Sequence, residues 1–187
     1  MKNAPSKYID SVNFKELVLE HQNRVLNIIF RFLNNKEDAE DVAQDVFVKV
    51  YQNLPTFQGK AQLSTWIHRI AVNKSLDFRR KRNRKKRLGE FKQLTGFNDV
   101  EEKLETPEAS NPHSVLESKE RALILKRAVD SLSKKQRTAI ILNKYEGFSY
   151  QEVAAIMQTT LPAVESLIHK GMKNLRKKLF DYFRITM

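Results

Sequence analysis

Cysteine is absent from the 187-residue sequence, which excludes a disulfide framework, a thiolate metal site and a cysteine nucleophile together. A reducing, cytoplasmic compartment is the simplest expectation. Glycine and proline number five each, too few for a sandwich or barrel full of tight turns. Long apolar runs are missing too: stretches such as Thr138–Leu142 fall far short of the ~20 residues of a membrane span, and the opening MKNAPSKYID holds no apolar signal core. No membrane insertion is expected. Catalytic signatures are equally scarce. His21, His68, His113 and His169 are scattered without HExxH-type spacing, and no GxxxxGK[ST], GxGxxG or GxSxG motif is present. The inventory therefore points to no enzyme, no metal site and no cofactor.

What the sequence does have is positive charge and helix-forming residues. Its 34 Lys+Arg against 22 Asp+Glu give a formal charge of +12, and 41% of its residues are apolar, enough to bury a core. The charge is unevenly placed. Residues 1–87 carry 18 bases and 9 acids, residues 88–120 carry 3 and 8, and residues 121–187 carry 13 and 5. Gly89, Gly96, Pro107 and Pro112 fall in or beside the acidic block, where helical periodicity fades. The expected architecture is all-α: a helical domain over 1–89, an acidic flexible linker over 90–113, and a second helical domain over 114–187.

Apolar residues recur at helical spacing in the first block. Asn13 with Glu16 has the form of a capping box before a helix carrying Phe14, Leu17, Val18, Val25, Ile28, Ile29 and Phe32. A second helix is predicted from Asn35, with Glu37, Asp38, Glu40 and Asp41 suited to its dipole and Ala39, Val42, Ala43, Val46, Phe47, Val50 and Leu54 on its apolar stripe. Pro55 and Gly59 end it. Ser64 is expected to cap a third helix that runs into the basic stretch Arg79–Arg87.

In the second block, Ser114 with Glu117, Ser133 with Gln136, and Ser149 with Glu152 repeat the cap spacing. Gly147 stands where a left-handed helix end is needed. A short helix Tyr150–Met157, three turn residues and a helix from Leu161 with Pro162 in its first turn make a helix-turn-helix. The last helix, Leu161–Lys178, sets Val164, Leu167, Ile168, Met172 and Leu175 on one face, and Glu165, Ser166, His169, Lys170, Lys173 and Lys177 on the other. Such a face suits a DNA groove: Ser166 and His169 are candidates for base contacts, Lys170 and Lys173 for phosphates. Glu165 can accept from cytosine N4 but repels nearby phosphate.

Three further constellations stand out. Phe57, Trp66 and Phe78 lie near a Gly-containing loop among the bases Lys60, Arg69 and Lys74, a mixture suited to stacking and charge capture of single-stranded DNA, although Trp66 by itself reads first as core. Arg79–Arg87 offers a phosphate track or, more plainly, a solvated tail. The edge Asp38, Asp41, Gln44, Asp45 is either a dipole-stabilised solvated face or a protein-docking surface.

The segments Asp38–Phe47, Phe57–Lys60, Ser64–Asn73 and Gly147–Ala154 resemble the bacterial sigma-70 family in its small extracytoplasmic-function (ECF) class. The resemblance implies two domains, sigma-2 and sigma-4, and no catalysis: such a protein binds core RNA polymerase, directs it to promoters and helps open them, as a monomer within the holoenzyme. It further implies that Asp38, Asp41, Gln44 and Asp45 meet polymerase. Phe57, Lys60, Trp66, His68, Arg69, Asn73, Arg79 and Arg80 would engage the minus-ten element, and Ser166, His169, Lys170 and Lys173 the minus-thirty-five element. The linker would lie in a nucleic-acid channel of polymerase, and an anti-sigma factor is a further partner the family allows. Read without the resemblance, the same residues also suit a dimeric helix-turn-helix repressor on a palindrome, or a non-specific nucleoid or RNA-binding protein.

Overall fold

The computed structural model describes residues 13–93 and 112–186, and every regular element among them is helical. Helix α1 (Phe14–Leu33) starts where the Asn13 side chain accepts from the Lys15 N–H and ends where Asn34 turns left-handed, at φ 52°. Asn35 then caps α2 (Lys36–Asn53) by accepting from the Asp38 N–H at 2.8 Å. Two helices thus meet across two asparagines, one closing and one opening. Pro55 sits in a 3-10 turn over Leu54–Thr56, and Gly59, at φ 67°, carries the loop towards α3 (Leu63–Gln93).

Ser64 is not the cap of α3. The Gln62 carbonyl already accepts from the Trp66 N–H, which starts the helical ladder two residues earlier and leaves Ser64 inside the first turn. Helix α3 also continues to Gln93, past the expected domain end at residue 89, because Arg, Lys, Leu, Glu and Gln propagate a helix well enough to absorb one glycine. Residues 94–111 of the expected linker lie outside the described residues.

Helix α4 (Pro112–Asp130) begins two residues before Ser114, with proline in its first turn, where its missing N–H costs nothing; the Ser114 and Glu117 side chains lie outside the described residues. Ser133 caps α5 (Lys134–Ile140), whose last turn widens into a π-helical turn over Ile141–Tyr145. Gly147 follows at φ 72°. The capping box of Ser149 and Glu152 then opens α6 (Tyr150–Met157), and Gln158, at φ 52°, leads into α7 (Leu161–Thr186). Helix α7 lies tight on α5: a Cβ on Gly171 would sit 2.6 Å from Ile140 Cδ1.

Helices α1–α3 form one unit around Val25, Ile28, Ile29, Val46, Val50 and Ile67. Helices α4–α7 form a second, with its own small cluster of Ala128, Leu132, Ile140 and Leu175. The units are not separate bodies, however. The large apolar cluster runs from α1 and α3 through Ile141, Leu142, Phe148, Val153 and Ile156 of the second unit, so the two share buried surface.

Candidate nucleic-acid interface

The helix-turn-helix has the predicted form, and its second helix shows its polar face to solvent. Val164 and Ile168 are buried against the unit, while Ser166, His169, Lys170 and Lys173 are exposed. Their spacing of three, one and three residues keeps them on one side of α7. Glu165 is exposed beside them.

The loop before α3 borders a cavity of about 360 Å³. Its wall is the Phe57–Trp66 pair, with ring centroids 5.1 Å apart and planes tilted by 43°. Its rim carries Lys49, Asn53, Gln58, Lys60 and Arg69. Phe57 itself is buried, so it lines this hollow rather than projecting from it. Lys60 and Gln58 are exposed. Asn73 is exposed one turn beyond Arg69 but does not line the cavity. Lys49 and Asn53 do line it; sequence reasoning missed them because both sit on α2 and only the fold brings that helix end to the loop.

The remaining α3 residues are partly engaged within the molecule. His68 is buried, 5.1 Å from the Phe148 ring of the second unit and 6.1 Å from the His21 ring of α1. Burial, reinforced by His21 and the Arg24 guanidinium, lowers its pKa from 6.5 to about 4, and Glu152 opposes the shift. Its Nε2 is buried without a hydrogen-bond partner. Arg69 donates to the Ala155 carbonyl of α6 at 2.8 Å. Arg79 donates to the Phe32 carbonyl at 3.0 Å and to Asp130 of α4 at 2.9 Å. Arg80 pairs with Asp77 a turn away and stays exposed.

Two arginines of α1 join the same contact. Arg24 lies 4.4 Å over the Phe148 ring and donates to the Glu146 carbonyl; its guanidinium and that of Arg31 stand 3.9 and 3.6 Å from the Glu146 carboxylate. Glu152 is held below the usual carboxylate range by its hydrogen bonds from the Ser149 backbone and hydroxyl.

The acidic edge of α2 is narrower than its sequence suggests. Asp38 is half-buried and paired with Arg82 at 3.1 Å, which leaves Asp41, Gln44 and Asp45 as the exposed stretch, with Lys74 3.4 Å from Asp45. No group of three His, Cys, Asp or Glu side chains able to hold a metal occurs among the described residues.

A family model described as Sigma-70 region 2 matches residues 17–85, and one described as Sigma-70, region 4 matches residues 122–175. The sequence is 30% identical over 182 residues to the RNA polymerase sigma-H factor of Pseudomonas aeruginosa, covering 94% of this chain and 90% of that one. It is 31% identical over 175 residues to the ECF RNA polymerase sigma-E factor of Escherichia coli, covering 94% and 91%. Among solved structures, the fold matches the sigma factor RpoE in complex with the anti-sigma factor NepR from Bartonella quintana, with a TM-score of 0.63 and 24% identity over 89% of this chain and 96% of that one. CnrH in complex with the cytosolic domain of CnrY gives 0.61 and 24%, covering 90% and 88%. With both regions in order along one helical chain, this protein belongs to the sigma-70 family, in its ECF class, and acts as a promoter-recognising factor for transcription initiation by RNA polymerase.

Proposed function

We propose that the labour is divided among three surfaces, with no catalysis by the chain itself: Asp41, Gln44 and Asp45 dock on polymerase, the α7 face reads the minus-thirty-five element, and the loop before α3 captures an unstacked base of the minus-ten element. The observation that carries this reading is the hollow beside that loop. A duplex offers nothing to fill an aromatic-walled hollow of about 360 Å³, whereas an extruded base brings a π-face for Phe57 and Trp66 and polar edges for Asn53 and Gln58. Lys60 and Arg69 on the rim suit the flanking phosphates, and exposed Asn73, Arg80 and Lys81 continue the track along α3. Asp38, committed to Arg82, positions α2 against α3 rather than meeting polymerase.

A cytoplasmic site of action fits this role, and no described helix is long and apolar enough to cross a membrane. An anti-sigma factor suits the chain as a further partner, since one of the structural relatives above was solved with such a protein.

The test is transcription by reconstituted polymerase carrying Gln58→Ala with Lys60→Ala. Capture of one base is worth about 1–3 kcal/mol, so permanganate-reactive open complex should fall roughly tenfold to hundredfold on duplex promoters. A pre-melted bubble template should restore much of it, because the template then bears the opening cost. Equal loss on both templates would reassign the loop to docking or folding.

A further inference from the structure

Two cavities lie outside the three surfaces assigned above. The first, of about 440 Å³, sits between the ends of α1 and α3 on one side and α4 with the π-helical turn on the other. The second, of about 410 Å³, sits between α3 and the start of α5. They adjoin across Arg79, Asn83 and Arg137, which line both, and only Arg80 is shared with the track along α3. We propose that the pair is a binding site for a nucleoside polyphosphate, with the phosphates in the α3–α5 half and the base against the apolar wall of the α4 half.

The α3–α5 half is built for an anion. Every charged side chain lining it among the described residues is basic: Arg79, Arg80, Arg84, Lys134 and Arg137. Arg80 has Asp77 beside it, but Arg79 and Arg137 divide a single carboxylate, Asp130, at 2.9 and 3.2 Å. Positive charge is therefore left over where the two cavities meet. The Arg137 side chain is only 12% exposed; its Nη2 donates to the carbonyls of Asp130 and Leu132, and its Nε is buried without a partner. Burial and then the neighbouring Arg79 lower its pKa, against the pull of Asp130. Like charges gathered around a hollow cost stability in the empty protein, and a phosphate group would offset that cost through charge-assisted hydrogen bonds to the guanidinium groups.

The α4 half has a different lining. Phe30, Leu33, Leu125, Val129 and Tyr145 give it apolar walls, and Phe30, Leu125 and Tyr145 are each left 39% exposed there. Asn34 and Asn83 add groups that can meet the polar edge of a base. Two of its cations are already matched: Arg31 stands by Glu146 and lies 5.4 Å over the Tyr145 ring, and Arg82 is paired with Asp38. Charge available to a ligand is thus concentrated in the α3–α5 half and apolar surface in the α4 half, which sets the direction in which the ligand lies. Inorganic phosphate would leave the apolar wall bare, and a nucleoside would leave the cations unmatched. Both halves have volumes within the range of small-molecule sites.

Titration calorimetry of the full-length protein with ATP, GTP, inorganic triphosphate and adenosine, at physiological ionic strength, tests the site. ATP and GTP should each bind as one equivalent per chain and about tenfold more tightly than inorganic triphosphate, and adenosine should bind more weakly still. Arg84→Ala with Lys134→Ala, both at exposed positions, should weaken nucleotide binding by about tenfold or more. Lys170→Ala with Lys173→Ala removes equal charge from the α7 face, the competing place for phosphate, and should change nucleotide binding by less than about twofold. Leu125→Ala should weaken ATP and GTP while leaving inorganic triphosphate unchanged. Equal losses in the two double variants, or several equivalents bound, would mean diffuse attraction of polyanions to a basic chain and overturn the site, as would no binding at all. Inorganic triphosphate binding as tightly as ATP and GTP, or nucleotide affinity indifferent to Leu125→Ala, overturns the nucleotide assignment.

Discussion

The polar faces of α3 and α7 are both basic and both belong to long helices, yet one is partly covered and the other bare. On α7 the exposed groups are Ser166, His169, Lys170 and Lys173, which water solvates well. On α3 the corresponding stretch includes Trp66, His68 and Ile70, none of them exposed, alongside Arg69. A surface that reads base edges in a groove can be fully polar, because it exchanges water for hydrogen bonds. One that holds an unstacked base must be partly apolar, and in the absence of DNA it gains by burying itself against whatever apolar group is tethered nearby. Here Phe148 is that group. The contrast teaches that the two basic faces carry different costs in the free protein.

The largest effect expected is at a surface that the contact between the two units leaves alone. Changing Asp41, Gln44 and Asp45 together to Lys should weaken competition for core polymerase by about a hundredfold or more, since like-charge contacts cost several kcal/mol. Helicity should not change, because all three positions lie off the buried stripe of α2. A variant that still competes like the parent would remove this edge from the docking surface.

Acid should break the contrast by uncovering α3. His68 has a pKa of about 4 with the units in contact against an ordinary 6.5, so the contact is fully supported above pH 6.5 and is lost as pH falls towards 4. His21 and Arg24 belong to the same unit as His68 and lower its pKa with or without the contact, so separation relieves only the burial that the second unit supplies, and Glu152 on α6 opposes that part. The separated fraction should rise by up to about tenfold per pH unit across that window. Energy transfer between dyes on Leu19→Cys in α1 and Lys177→Cys in α7, both exposed, measured from pH 7 to pH 4.5 checks it, and His68→Gln should flatten the response. A slope that survives in His68→Gln would move the effect to another group.

A smaller change should act within the second unit. In Gly171→Ala the new methyl meets Ile140 Cδ1 at 2.6 Å, and displacing that buried side chain, set against the roughly 1 kcal/mol alanine gains over glycine inside a helix, should leave a net cost of about 1 kcal/mol of stability. Chemical denaturation should show the loss, with partial recovery on adding Ile140→Val. No loss would mean that α5 and α7 have slack between them.

The smallest effect belongs to the bare face. Lys170→Ala should lower the slope of log affinity against log salt by about 0.9, uniformly across sequences. A change in sequence preference with the slope intact would give Lys170 a base-reading role instead.

Much of this fold is legible in local sequence. Asn35 and the Ser149–Glu152 box cap their helices as their spacing predicts, and Gly147 takes the left-handed conformation its place demands. These features are decided within four residues, where backbone geometry leaves few options. Ser64 misleads because a capping side chain competes with simple extension of the ladder, here from Gln62. Contact between the units is illegible for a different reason. Arg24 and Glu146 stand 122 positions apart, and each alone reads as an ordinary surface charge. His68 likewise sits at a position whose burial depends on Phe148, which no periodicity on α3 reports. The hollow beside the loop is half legible: Phe57, Lys60 and Trp66 announce themselves as neighbours, but Lys49 and Asn53 arrive from α2.

The apolar cluster shared by the two units has a consequence for how the protein responds to its own abundance. Both halves of that cluster are on one chain, so their encounter is intramolecular, at an effective concentration that for short tethers is about millimolar. Dilution cannot separate them and overproduction cannot drive them together. The fraction in contact is the same in a cell holding a few copies as in one holding thousands. Only a competitor that brings binding energy of its own can shift it. Cutting the chain between residues 93 and 112 would abolish that insulation and make the association of the halves follow ordinary mass action.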